Sequence, residues 1–167
     1  MELTIQPLTA DAFASFGEVI ELATAKQFSI NDGLTTRFHD LCSIDTGDQG
    51  GKTIVNVFRT RPIPLPHTVV KMERHPLGSQ AFLPMDDQPF LVLVARKLEK
   101  LTANDLSLFI TNGRQGVNFH KNTWHHFQLG IGEERDFIVI DRGGSGENLQ
   151  EVELEDIAIV PDPSSRN

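Results

Sequence analysis

Phe90-Leu-Val-Leu-Val-Ala95 is the longest apolar stretch in the chain, six residues bounded by Pro89 and Arg96. A membrane helix needs about 20 such residues, so this run is far too short to span a bilayer. Its length and β-branched content suit a strand buried on both faces. Four further runs read the same way: Thr53-Ile-Val-Asn-Val-Phe58, Thr68-Val-Val-Lys-Met72, Leu106-Ser-Leu-Phe-Ile-Thr111 and Phe137-Ile-Val-Ile140. Most are bounded by Gly, Pro, Asp or Asn, the residues that make turns. Short strands recurring about every ten residues predict a mainly β protein, a sandwich or barrel. A doubly wound α/β fold would need alternating helices, and the pattern offers one helix only, near Thr9-Ala-Asp-Ala-Phe-Ala-Ser-Phe16. Thr9 or Asp11 would cap it and Gly17 would end it. Pro62, Pro64 and Pro66 predict an extended link that cannot continue a ladder. Eleven Phe, with no Tyr, supply the aromatic bulk of a core.

The 167 residues, 39% of them hydrophobic, are enough for one domain with a real core, expected over 1–160 with a frayed tail at 161–167. The acidic segment from Glu147 onward carries Val152, Leu154 and Ile157-Ala-Ile-Val160, which predicts a last edge strand before that tail. Fifteen basic against 23 acidic side chains leave a formal charge of −8. Nucleic-acid backbones and anionic membranes would be repelled by such a surface, whereas a small anionic substrate needs only a local cationic pocket. A single cysteine, Cys42, forms no internal disulfide and fits a reducing cytoplasm. Met1 to Phe13 lacks the charged start of a signal peptide, so a soluble cytoplasmic protein is expected.

Six histidines fall unevenly along the chain. His39 and His67 stand alone and read as surface or loop residues. His75 lies in Glu73-Arg-His-Pro-Leu-Gly-Ser-Gln80, while His120, His125 and His126 crowd into Gly116-Val-Asn-Phe-His-Lys-Asn-Thr-Trp-His-His126. Strand alternation puts Glu73 and His75 on one face and Met72 and Arg74 on the other. The pattern leaves open which face points inward. A turn at Pro76–Ser79 would bring Gln80 back beside His75. The same alternation predicts His125, Phe127, Leu129 and Ile131 on one face, with His126 and Gln128 outward. Carboxylate, imidazole and amide groups at one strand end suit a divalent first-row ion, or metal-free acid–base chemistry by histidine.

Asp141-Arg-Gly-Gly-Ser-Gly146 has the glycines of a phosphate loop, but neither the Walker lysine nor a following helix, and reads as a rim turn with an Asp–Arg pair. Cys42 has no acid–base neighbour in sequence and reads as a buried thiol. There is no Gly-x-Ser-x-Gly elbow of an ordinary serine hydrolase.

Four of these stretches together resemble the ureidoglycolate lyase family: Glu73 to Met85, Phe109-Ile-Thr-Asn-Gly113, Gly116 to His126 and Asp136-Phe-Ile-Val-Ile-Asp-Arg-Gly-Gly144. Ile5-Gln-Pro-Leu8, Phe13 to Val19 and Ile30-Asn31 through His39-Asp40 are similar too, so the resemblance covers nearly the whole chain. It implies a cupin-like double-stranded β-barrel, homodimers, no organic cofactor, and cleavage of (S)-ureidoglycolate to glyoxylate and urea in allantoin breakdown. Glu73, His75 and Gln80 are similar to a first cupin motif in which Glu replaces the leading His and Gln replaces the Glu. His125 resembles the histidine of the second motif. The family also implies a divalent metal, often nickel, for which Glu73, His75, Gln80 and His125 are the expected ligands.

On this reading His75 and His125 act at the reacting carbon, with His120 as a secondary proton carrier. Arg74 or Arg142 would clamp the substrate carboxylate beside Gln80, and Asp141 would orient one of these groups. An amidohydrolase on the same substrate and a non-catalytic small-acid binding module are the alternatives. The module would usually carry an output element, and the sequence offers none.

Overall fold

In the computed structural model, which describes residues 1–165, nearly every run read as a strand is one, usually longer than its apolar kernel. The first half contains β1 (Ile5–Pro7), α1 (Ala10–Phe13), β2 (Gly17–Ile20), β3 (Lys26–Ile30), β4 (Thr35–His39), β5 (Lys52–Thr60) and β6 (His67–Arg74). The second half contains β7 (Gln80–Pro84), β8 (Leu91–Ala95), β9 (Leu106–Ile110), β10 (Gly116–Phe119), β11 (Trp124–His125), β12 (Arg135–Gly143) and β13 (Gln150–Val160). Thr9 caps α1 through its hydroxyl, which accepts from the Ala12 amide at 3.2 Å. Gly17 does not end that helix; it opens β2. There an added Cβ would lie 2.0 Å from the Asn118 carbonyl oxygen, so the approach of β10 requires glycine.

The strands form a six-stranded sheet in the order β1-β9-β8-β11-β6-β13 and a five-stranded sheet in the order β2-β10-β7-β12-β5. All pairings within these sheets are antiparallel except β1 with β9. Phe90, Val92, Val94 and Phe109 from the first sheet pack with Phe82, Val117, Phe119, Phe137 and Val139 from the second. The two sheets therefore face one another and curl into the expected double-stranded β-barrel. The alternate residues Leu91, Leu93 and Ala95 enter a second cluster behind the six-stranded sheet, with Leu3, Met72, Leu101 and Trp124. Both faces of β8 are thus buried, which is why its sequence shows no polar alternation. Fully burying each such side chain contributes roughly 1.5–3 kcal/mol.

β3 and β4 pair only with each other in a two-stranded hairpin. β13 is the expected edge strand, bulged between Glu153 and Ala158. Beyond it Pro163–Ser165 form a 3-10 turn in which Asp162 accepts from Ser164. The rest of the expected tail, Arg166 and Asn167, lies outside the described residues. No helix among the described residues is long and apolar enough to cross a membrane.

Candidate active site

β6 and β11 are neighbours, and their register sets Glu73 directly opposite His125. Met72 turns into the outer cluster, so alternation aims Glu73 into the barrel. His75, just past the end of β6, follows it. Arg74 turns the other way. Its guanidinium lies 4.3 Å from the centroid of the Trp124 ring, donates to Gln150 Oε1 at 2.8 Å and pairs with Glu99 at 3.7 Å.

Gln80 arrives differently from the expected hairpin. After the turn the chain crosses to the other sheet, where Gln80 opens β7 opposite Phe119. It still lines the same cavity, of about 640 Å³, as Glu73, His75 and His125. Its Nε2 donates to Asp141 Oδ2 at 3.3 Å, and Asp141 Oδ1 accepts from Asn56 at 3.0 Å.

His125 is 2% exposed, stacked on Phe119 with ring centroids 4.5 Å apart and planes within 2°. Its Nδ1 donates to the His126 carbonyl at 3.1 Å and lies 3.8 Å from Glu73 Oε1. Its ring centroid is 5.1 Å from that of His75. Burial, with His75 alongside, pushes the His125 pKa down to about 3, so it stays neutral at physiological pH. Burial likewise raises the Glu73 carboxyl above its ordinary value, against the opposing pull of His75. His75 Nδ1 donates to the Asn148 carbonyl at 2.7 Å, which leaves the Nε2 lone pair free.

Among the buried side-chain atoms that have no hydrogen-bond partner are three here: His75 Nε2, His125 Nε2 and Gln80 Oε1. Buried polar atoms are rarely left so, and all three belong to residues of one cavity. Glu73, His75 and His125 each offer a ligand atom within 4.8 Å of the others. A first-row ion takes such ligands at about 2.0–2.2 Å, so these groups would have to close in around it. Imidazoles beside a carboxylate are a fitting donor set, and Gln80 Oε1 is a fourth donor atom in the same cavity.

The remaining expected residues lie elsewhere. His120 is 43% exposed at its side chain, 4.0 Å from Glu18, outside the cavity. Arg142 sits within β12 rather than on a rim turn. It is buried, and its guanidinium donates to the carbonyls of Asp48 and Ser145. Neither arginine expected to clamp a carboxylate reaches the cavity. Arg59 lines it, but commits its guanidinium to Asp136 at 2.8 and 2.9 Å.

The expected alternation past His125 fails, because β11 is only two residues long. The chain bends there, so His126 is buried against the cavity and Phe127 is the exposed residue. His67, expected on the surface, packs its ring 5.3 Å from that of His126. Cys42 is half-buried, its thiol pKa raised by burial and by Glu18 and Asp40.

The family model for ureidoglycolate lyase matches residues 1–161 of this chain. The chain belongs to the ureidoglycolate lyase family. A protein named ureidoglycolate lyase from Burkholderia mallei (strain NCTC 10229) is 54% identical over 152 residues, 91% of this chain and 89% of that protein. Ureidoglycolate lyase 1 of Rhizobium meliloti is 47% identical over 163 residues, 98% of this chain and 95% of that protein. Among solved structures, a 3,4-ketoisomerase from Helicobacter canadensis aligns with a TM-score of 0.43 at 14% identity, covering 78% of this chain and 85% of that one.

The sequence reading missed what orients the Glu73, His75, Gln80 and His125 side chains. The carbonyl of Asn148, on the loop before β13, lies 73 residues from His75, and the amide of Asn56 lies 85 residues from Asp141. Only Phe119, six residues before His125 on the preceding strand, carried a local signal.

Proposed function

We propose that this chain cleaves (S)-ureidoglycolate to glyoxylate and urea, a carbon–nitrogen lyase reaction. One observation carries the reading: partnerless buried acceptors of His75, His125 and Gln80 gather around Glu73 in one cavity, in a chain of this family. The substrate bears hydroxyl, carboxylate and ureido nitrogen on a single carbon. Cleavage removes the hydroxyl proton, re-forms that oxygen as an aldehyde carbonyl, and protonates the departing nitrogen. Positioned acid and base groups are each worth about 10²–10⁴-fold.

In the absence of an ion, Glu73, whose burial makes its carboxylate a stronger base than usual, is the group suited to hold the hydroxyl proton; with an ion bound it would serve as a ligand. His125, held neutral, suits a ligand or acceptor role better than that of a proton donor. Asp141 positions Gln80 through its amide. The cavity has Glu73 on its wall and, among the described residues, no side-chain cation free to meet an anion. A divalent ion held by Glu73, His75 and His125 would supply that counter-charge and acidify a chelated hydroxyl. Nickel is the family expectation for that ion.

The same reading carries a role in allantoin breakdown, a cytoplasmic setting and a homodimer. The free thiol of Cys42 supports the reducing compartment, and the acidic surface supports a small-molecule partner rather than nucleic acid or membrane. Incubation with (S)-ureidoglycolate and separate assay of urea, glyoxylate and ammonia is the test. Ammonia without urea would turn the reading to the amidohydrolase, and saturable binding without turnover would turn it to the binding module.

A further inference from the structure

The metal triad and Gln80 leave unexplained a second set of polar groups in the same cavity, on the bent segment 126–128 that follows β11. His126 is 6% exposed, and its Nδ1 donates to the Phe127 carbonyl at 3.2 Å. That bond fixes the proton on Nδ1 and makes Nε2 an acceptor. Contacts with the rings of His67 (5.3 Å) and Phe127 (3.9 Å) hold the imidazole in place. Gln128 contributes the opposite polarity, a buried Nε2 donor with no hydrogen-bond partner among the described residues. A buried donor without a partner is costly, and one lining a cavity is explained by a ligand acceptor.

We propose that His126 and Gln128 form a subsite that recognises the planar ureido group of the substrate. The Gln128 amide donates to the ureido carbonyl oxygen, and His126 Nε2 accepts from a ureido N–H. Both partners are uncharged and together present one donor and one acceptor, the complement of an amide-like plane. Neither offers the charge that a carboxylate would seek, so the acid end of the ligand is left to the counter-charge that an ion on Glu73, His75 and His125 would supply. The assignment rests on the reaction proposed above and adds to it the residues that distinguish a ureide from a simple hydroxy acid. A site that hydrogen-bonds such a group rejects ligands lacking it, because its own polar atoms are then left unpaired.

The test uses two small acids with the purified full chain. N-Carbamoylglycine carries ureido and carboxylate groups, and glycolate carries only hydroxyl and carboxylate. Calorimetric titration of wild type, Gln128→Met and His126→Phe gives their affinities, with thermal unfolding of each variant measured alongside. The phenylalanine keeps a ring packed against His67 and removes the Nε2 acceptor together with the Nδ1–H bond to the Phe127 carbonyl. The proposal expects each variant to bind N-carbamoylglycine about 10-fold or more weakly while glycolate changes by less than about 2-fold. Equal losses for both ligands, unchanged N-carbamoylglycine affinity in both variants, or no binding of it by wild type would each overturn the subsite. Urea release from (S)-ureidoglycolate, assayed on the same wild-type preparation, tests the reaction separately. Selective loss in the variants with no urea release would sink the reaction and leave the subsite standing.

Discussion

Lowering the pH from about 7.5 to about 5 in metal-free buffer should destabilise this protein by about 4 kcal/mol through two histidines alone. His125 and His126 titrate near 6.5 in the unfolded chain, but are held at about 3 and about 4 in the native state. As the pH falls through 6.5 the unfolded chain takes up two protons that the folded protein refuses. Stability is therefore fully present above that value and is lost progressively below it, until the native pKa values are reached. At about pH 5 each histidine accounts for roughly 1.5 pH units of differential protonation, or about 2 kcal/mol. Glu73, raised by burial, works the other way and gains stability as it protonates, while His67, lowered by burial, adds to the loss, so the two buried histidines set the scale. For a chain of this size the loss corresponds to a fall in Tm of roughly 8–16 °C. Urea denaturation at several pH values measures it directly, and His126→Phe should remove about half of the slope. A wild-type unfolding free energy that is flat between about pH 6.5 and 5, or a His126→Phe slope equal to wild type, would refute the burial argument.

Other outcomes follow from the same geometry. His125→Asn should lower turnover by at least about 100-fold in steady-state kinetics, since it removes a buried nitrogen from the triad. Chelation followed by titration with a divalent ion should restore a bound stoichiometry near one per chain in wild type, and Glu73→Gln or His75→Ala should weaken that binding about 10–100-fold. Arg74→Ala should leave kcat within about threefold of wild type but cost about 1–2 kcal/mol in denaturant unfolding, from the lost contacts with Trp124 and Gln150. His120→Gln should leave turnover within about twofold, because the side chain lies outside the cavity and chemistry by a positioned acid would be lost by far more.

The features legible in the sequence are those set by local pattern. The Phe90–Ala95 run is sealed on both faces, and Thr9 caps the one helix. Glu73 and His75 lie close to His125 because both stretches reach the same barrel end on neighbouring strands. Alternation could not settle whether Arg74 or Glu73 faced inward, because Val69 and Met72 are both buried and so break the two-residue period of β6. The same limit misplaced His126: a strand that stops after two residues carries no period to extrapolate. Arg142 looked available for an anion because a guanidinium beside glycines suggests a rim. Its actual partners are carbonyls, one of them Asp48, 94 residues away, and backbone acceptors leave no trace in side-chain spacing.

The β3–β4 hairpin, which pairs only with itself and leaves Phe28, Ile30 and Leu34 uncovered, stands apart energetically from the double-sided packing of β8. Deuterium should enter its amides through local opening, while Leu91–Ala95 should exchange only when the entire chain comes apart. A protease cut within residues 31–34 would accordingly nick the protein without dismantling the walls that hold Glu73, His75 and His125.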